Sequence, residues 1–469
     1  MQWHCCMIIK SFVRDHFSLR PVDVEIALTP GLPVISVLGL PDKVIQESTK
    51  RIQTALLNQG YQMPRAKQVI VNLWPRDIRK SSLGLDLAIA LGILVESGQR
   101  PALDSELVVY GELDMQGAVR VPKDIVMMDA VPPLLLTGVG SLELRGGHYE
   151  LSALKEDPQW VESADVREES QRPPFLYPTL NPQVCELLKI VACGEHSLLL
   201  AGPPGTGKTA FVDGASAFFA PPSPLQMRDI QKNSFYFKQS AKWRPVVKPH
   251  HSSTVLAFSG GGNGLVPGEL MRAHHGILIL DELLEFSTGV QSLLREPMEA
   301  GVFHMARAGR RHEFPCQSVI LATSNLCPCG EYSPQSHKMC RCSSLQLRRY
   351  LQKLSGPFVD RFSILQFTND WNQSEQKDFV ASSLVLKQIE QALEFRNTER
   401  KPHVLNEISA GAEKNLSLPK FKSKRREIAC LKIARTIADL DFSFEIKNTH
   451  IEKALQFCYF PFEQIKKIF

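Results

Sequence analysis

Residues 202 to 209 read Gly202-Pro203-Pro204-Gly205-Thr206-Gly207-Lys208-Thr209 and satisfy G-x-x-x-x-G-K-[ST] without a mismatch. Glycines at this spacing let backbone N–H groups turn inward around phosphate oxygens, and a following helix adds its positive N-terminal dipole. Lys208 then reaches the β- and γ-phosphates, while the Thr209 hydroxyl ligates Mg²⁺. The bland alternative is a glycine-rich turn with a surface lysine. Against it stands the context, an apolar run before the motif and a helix-forming stretch after it. The expected ligand is a nucleotide, read as ATP with Mg²⁺.

Further along, Ile277-Leu278-Ile279-Leu280 ends in Asp281 and Glu282. A carboxylate at the C-terminal end of a central strand lies beside the phosphate loop, so Asp281 is expected to organise Mg²⁺. Glu282 is expected to polarise the attacking water as general base. The run SVILATS ends at Asn325, a side chain placed to hold that water or sense the γ-phosphate; alone it would read as a strand-end cap. Arg361, in GPFVDRF, becomes an arginine finger if the protein forms rings, and otherwise a surface partner of Asp360.

Cys327-Pro-Cys329 and Cys340-Arg-Cys342 put four of the eleven cysteines inside one loop, 327–342. Two such pairs can offer four thiolates to a tetrahedral structural Zn²⁺; unligated thiols and a redox pair are the alternatives. His250 and His251, being adjacent, make a poor ligand set. Basic residues cluster in ARAGRR (Arg307, Arg310, Arg311), after the cysteines, and from Lys420 to Arg426. Each cluster reads as a solvated face, or, for a hairpin entering a ring's pore, as a grip on phosphate backbones.

These groups need elements to hold them. The 469 residues are 43% hydrophobic and 22% charged, which excludes a disordered, collagen-like or coiled-coil chain. Net charge is only +5, so nucleic-acid binding has to rest on local clusters. No apolar run reaches the ~18 residues of a membrane span and the start lacks a signal-peptide pattern, so a cytoplasmic protein with reduced cysteines is expected.

Residues 1–154 alternate short β-rich runs with an amphipathic helix near 44–56, a buried helix at 85–97 and a hairpin from LVVYGELD to AVRVPK. Residues 155–178 are acidic, polar and proline-bearing, as linkers are. Residues 179–368 carry strands at 198–201, 276–280 and 318–324 separated by helices, which implies a mostly parallel α/β sheet. Residues 369–469 read as all-α.

Taken together, the motifs resemble the magnesium-chelatase-like AAA+ proteins of the ComM (YifB) type, across almost the whole chain. GLPVISVLGLPDKVIQESTKRIQTALLNQGY and LDLAIALGILVESGQ are similar to that family's N-terminal Lon-protease-like domain. PHHSSTVLAFSGGG, PGELMRAHHGILILDELLEF, CPCG, CRCSSLQLRRYLQKLSGPFVDRF and ARTIADL are similar to its ATPase and lid signatures. The resemblance implies a P-loop AAA+ core, an N-terminal Lon-protease-like α+β domain and a C-terminal α-helical lid. It makes Asn325 the sensor-1 residue and Arg361 the arginine finger. Counting back from ARTIADL makes Arg425 the sensor-2 residue, with Arg426 next if the register slips by one. It implies a homo-hexameric ring that uses ATP to move DNA branches during recombination. An ATP-dependent remodeller of protein complexes, as in the chelatase motor subunit, is the alternative. The chain departs from the pattern at Leu326, where the family has proline, and around Thr179 to Asn181, where Gly-Gln is expected. Ser81 and Ser82 near Lys80 read as loop residues, so the Lon-like fold does not imply a protease.

Overall fold

A computed structural model of the protein describes residues 7–15, 18–39, 43–75, 84–140, 146–163, 170–237, 242–261, 266–307, 310–332, 340–353, 356–368, 371, 379–400, 419, 421, 423–461 and 463. The chain divides into two compact units, Met1–Glu168 and Glu169–Phe469. Ser81, Ser82, Lys420 and Lys422 lie outside the described residues.

In the first unit, eight strands form one mixed sheet. Their order is Gln159–Ser163, Gly146–Leu151, Leu135–Gly138, Val108–Val109, Met7–Asp15, Ser18–Pro30, Lys67–Trp74 and Ile35–Leu38. Period-two patterning buries Val22, Val24 and Ile26 on one strand and Val69, Val71 and Leu73 on its neighbour. The helix Lys43–Asn58 adds Ile45, Ile52, Ala55 and Leu56 to the same core. The helix Leu85–Glu96 is buried from Leu85 to Leu94. Its one charged side chain in that stretch, Asp86, is pushed up to about 6 by burial against the opposing pull of Arg51, 2.7 Å away. Glu112–Leu113 pairs with Val119–Arg120 as the expected hairpin.

The stretch read as a linker is not one. Gln159–Ser163 pairs antiparallel with Gly146–Leu151, and Trp160 packs edge-on to Tyr149 at 5.0 Å. The first unit therefore extends past residue 154. An edge strand leaves one rim to solvent and tolerates the polar residues that resembled a linker. Residues 170–180 in turn belong to the second unit: Arg172 donates to the carbonyls of Ala217 and Phe219, and Thr179–Leu180 pairs with Val380–Ala381.

That second unit is built on five parallel strands in the order Val246–Val247, Ile277–Leu280, Val319–Ser324, Leu198–Ala201 and Ile364–Phe367. The first of them in sequence, Leu198–Ala201, lies between the fourth and the fifth. The chain leaves it for Val246–Val247 on one side and later crosses it from Val319–Ser324 to Ile364–Phe367 on the other, which makes this the switch point where α/β sheets bind ligands. Its residues are fully buried, as are those of Ile277–Leu280. The helices Pro182–Gly194, Ser382–Glu394, Lys424–Leu440 and Asn448–Cys458 share one core with the sheet, so residues 169–469 form a single unit. Residues 369–469 are not wholly helical, since Val380–Ala381 is a strand. Among the described residues no helix is long and apolar enough to cross a membrane.

Candidate active site

At the end of Leu198–Ala201 the chain turns through 202–207 into the helix Lys208–Gly214. Gly205 and Gly207 have φ of +78° and +91°, and a Cβ on either would meet nothing within 4 Å. The glycines serve backbone conformation here, and the space they border is open, as a phosphate cradle requires. Lys208 lies over the loop, with Nζ donating to the carbonyls of Gly202 and Pro203, both at 2.7 Å, and to Asn325 Oδ1 at 3.3 Å. Burial pushes its ammonium down to about 8, against the pull of Asp281 and Glu282. Thr206 is tied to Thr368 by a 2.6 Å hydroxyl pair.

The neighbouring strands deliver the acids. Thr209 donates to Asp281 Oδ1 at 3.2 Å, and Thr323 donates to the same oxygen at 2.5 Å. Lys248 stands 3.3 Å from Asp281 Oδ2 and 2.9 Å from Asp213. Burial alone would raise the Asp281 carboxyl, but the Thr323 hydroxyl and Lys248 hold it below its ordinary value. It is thus an anion beside a hydroxyl, the donor set of a Mg²⁺ site, with the Lys248 ammonium now facing its second oxygen. Glu282 follows in a left-handed backbone (φ +55°), its N–H donating to Thr323 Oγ1 at 3.0 Å. Its carboxylate lies 3.8 Å from His251 Nδ1.

Pro204, Gly205, Gly207, Lys208, Thr209, Asp281, Glu282, Thr323 and Asn325 line one cavity of about 410 Å³. Beside it, sharing Gly207, is a largely apolar cavity of about 230 Å³ walled by Tyr177, Leu180, Val184, Trp371 and Phe379. The residues of 179–181 that depart from the family pattern belong to this wall, and Asn181 also caps the helix Pro182–Gly194.

Arg361 and Arg425 are elsewhere. Neither lines the phosphate cavity, and no arginine does among the described residues. Both grip Glu299: Arg361 at 2.8 Å on Oε2 and Arg425 at 2.5 Å on Oε1. Arg361 does not take Asp360 as its partner, because Asp360 is held by Ser423 and Arg426. Arg426 is 4% exposed and also donates to the carbonyls of Asp360 and Phe362, so it anchors the helix Lys424–Leu440 while Arg425 faces outward.

Three family models match the chain: magnesium chelatase, subunit ChlI, over residues 181–376; subunit ChlI of Mg-chelatase over 24–131; and the ChlI C-terminal model over 381–458. The chain is 32% identical to the uncharacterized protein YifB of Escherichia coli, over 93% of this chain and 94% of that one. It is 30% identical to the competence protein ComM of Haemophilus influenzae, over 92% and 94%. The chain belongs to the magnesium-chelatase-like ComM/YifB family. A shorter likeness, 27% identity over 42% of this chain and 26% of the relative, links it to a probable DNA helicase of Arabidopsis thaliana.

Two more features of this ComM/YifB-type chain bear on its site. Val302–Arg307 and Arg310–Pro315 pair from Val302↔Pro315 to Arg307↔Arg310, so Arg307 and Arg310 stand opposite each other at the far end of this two-stranded ladder. The side chains of Arg307, Arg310 and Arg311 lie outside the described residues. At the base, Phe303 stacks on Phe314 at 5.1 Å. The four loop cysteines converge, with all sulfurs within 4.8 Å of one another. Residues missed in the sequence are Lys248, Thr323, Thr368, His251 and Glu299, whose partners are distant in the chain. Tyr177, Trp371 and Phe379 fell in or beside stretches read as linker and helix.

Proposed function

We propose that this protein is an ATP-hydrolysing, homo-hexameric ring motor that acts on DNA, moving branches of recombination intermediates of the natural-transformation type. The supporting observation is a division of labour. Lys208, Thr209, Asp281, Glu282 and Asn325 face one cavity, while Arg361 and Arg425 sit together outside it. In this reading a cavity with no arginine among its described lining residues is completed by a neighbour's, which ties turnover to assembly.

In this reading the apolar pocket takes adenine and the loop 202–207 takes the phosphates. Thr209 and Asp281 would hold Mg²⁺, which would supply positive charge to offset that of the phosphates. Lys208 pairs with the same phosphates. Glu282 accepts the proton of the attacking water, and Asn325 orients that water. Arg361 meets the γ-phosphate of the next subunit, and Arg425 is the sensor-2 residue on the same face. The first unit takes the part of the family's Lon-protease-like domain, and the helices after residue 381 take that of the lid. DNA contact falls to Arg307, Arg310 and Arg311 near the far end of the two-stranded ladder, through phosphate charges. The names borne by relatives, a competence protein and a probable DNA helicase, support the DNA reading.

The decisive experiment is ATP-dependent migration of a synthetic mobile four-way junction, with Glu282→Gln protein as control. Resolution by the wild type alone is expected. Absence of migration, with ATP turnover indifferent to every DNA tried, would replace this reading with remodelling of a protein partner.

A further inference from the structure

Cys327 Sγ lies 3.3 Å from Cys329 Sγ, which lies 3.5 Å from Cys340 Sγ. With Cys342, all four sulfurs fall within 4.8 Å of one another. A tetrahedron of thiolates at Zn–S of about 2.3 Å has edges of about 3.8 Å, so this spread suits one mononuclear ion. A [4Fe–4S] cube would hold its thiolates much farther apart. Backbone donors already point at the sulfurs: Tyr332 N–H to Cys327 at 3.2 Å and Cys342 N–H to Cys340 at 3.4 Å. Such donors stabilise bound thiolate charge, as outer-shell groups of metal sites do.

The place of this cluster is as informative as its geometry. Cys327 is two residues beyond Asn325, which accepts from Lys208. Gly330, at φ +80°, packs so close to the phosphate loop that a Cβ would come within 2.9 Å of Pro204 Cδ. After Cys342 the helix Ser344–Gln352 starts from a Ser343/Gln346 capping box. Its far end returns to the acidic turn, with Tyr350 donating to Glu285 at 3.1 Å and Lys353 to the Leu284 carbonyl at 3.0 Å. One arm leaving the cysteines therefore ends on Asn325, which lines the phosphate cavity, and the other on the turn that follows Glu282.

We propose that Cys327, Cys329, Cys340 and Cys342 bind one Zn²⁺, and that this ion is a strut of the nucleotide site, fixing Asn325 and Pro204 against the turn after Glu282. Binding displaces four thiol protons to solvent and leaves a Zn(S)₄ centre of charge −2. The cysteines are positioning residues and touch no substrate. The strut rests on the nucleotide reading above; the zinc does not.

Protein purified without chelators or a metal-affinity tag should carry about one zinc per chain by plasma mass spectrometry. Replacement by Co²⁺ should give the thiolate-to-metal band of a tetrahedral tetrathiolate site. Cys340→Ser/Cys342→Ser should abolish both. Cys342→Ser should weaken a fluorescent ATP analogue by roughly tenfold or more with an unchanged far-UV spectrum. Cys342→His, which still offers a ligand, should restore metal and affinity together. Iron in place of zinc, less than about one-fifth of an equivalent after reconstitution, or no cobalt band would overturn the zinc. Stoichiometric zinc in the wild type, with analogue affinity equal in the metal-free Cys342→Ser protein, would overturn the strut alone. Zinc-loaded wild type that binds no nucleotide would sink the nucleotide reading and the strut together, with the zinc unaffected.

Discussion

Arg361 is held 2.8 Å from Glu299, outside the phosphate cavity of its own chain. Arg425 takes the other carboxylate oxygen, so one acid aligns two arginines on one face. The Arg361 hydrogen bond, with the Arg425 charge, holds the Glu299 carboxyl below its ordinary value. In the proposed ring, an arginine so placed meets the phosphate of the neighbouring subunit. Arg361→Ala protein should bind ATP normally and lose about 10³-fold in turnover. Mixing it with Lys208→Ala protein should restore part of the activity at hybrid interfaces. No restoration at any ratio would exclude action between subunits.

In the proposed ring, Glu299 competes with the neighbour's phosphate for those guanidiniums. The pair is solvent-exposed at the carboxylate and therefore weak. Glu299→Gln should raise turnover at low protein concentration by about twofold to fivefold, and should do nothing once rings are saturated. Steady-state ATPase against protein concentration reads this directly. A uniform loss of activity would instead make Glu299 a scaffold for the arginines.

How much of this was legible depended on whether backbone or packing set the position. The phosphate loop was readable because its glycines answer a local conformational demand, met at Gly205 and Gly207. Asp281 and Asn325 were readable as polar ends of apolar strands. Lys248 and Thr323 were not, since each matters only through the sheet order that brings it to Asp281. The choice between Arg425 and Arg426 hung on helical phase, one step of about 100°. Arg426 turns inward to Asp360, while Arg425 reaches Glu299. The linker was misread because polar composition describes an edge strand as well as a tether.

The buried Lys208 gives binding a pH signature. Burial lowers its ammonium to about 8, so it is charged below that pH and increasingly neutral above it. Phosphates favour the charged form, so binding raises the pKa and draws a proton onto the amine. ATP affinity should then fall by about tenfold per pH unit above about pH 8, with net proton uptake near it. Calorimetry in buffers of different ionisation heat measures both. A flat affinity from about pH 7 to 9.5 would mean Lys208 stays charged throughout.

The apolar cavity offers a separate handle, because in the proposed reading its aromatic walls take the base and the reacting phosphates lie in the neighbouring cavity. Trp371 is 7% exposed and lies against Phe211 at 5.6 Å, so truncating it would also disturb the core. Phe379 is 45% exposed and lines the same pocket, so it can be removed with little effect on folding. A contact made equally in the ground and transition states changes KM and leaves kcat alone. Phe379→Ala should raise KM for ATP by about fivefold to tenfold at constant kcat, and should reduce the preference for ATP over GTP. Parallel loss of kcat would move Phe379 from base recognition to the chemistry of the site, and an unchanged KM would place the adenine elsewhere.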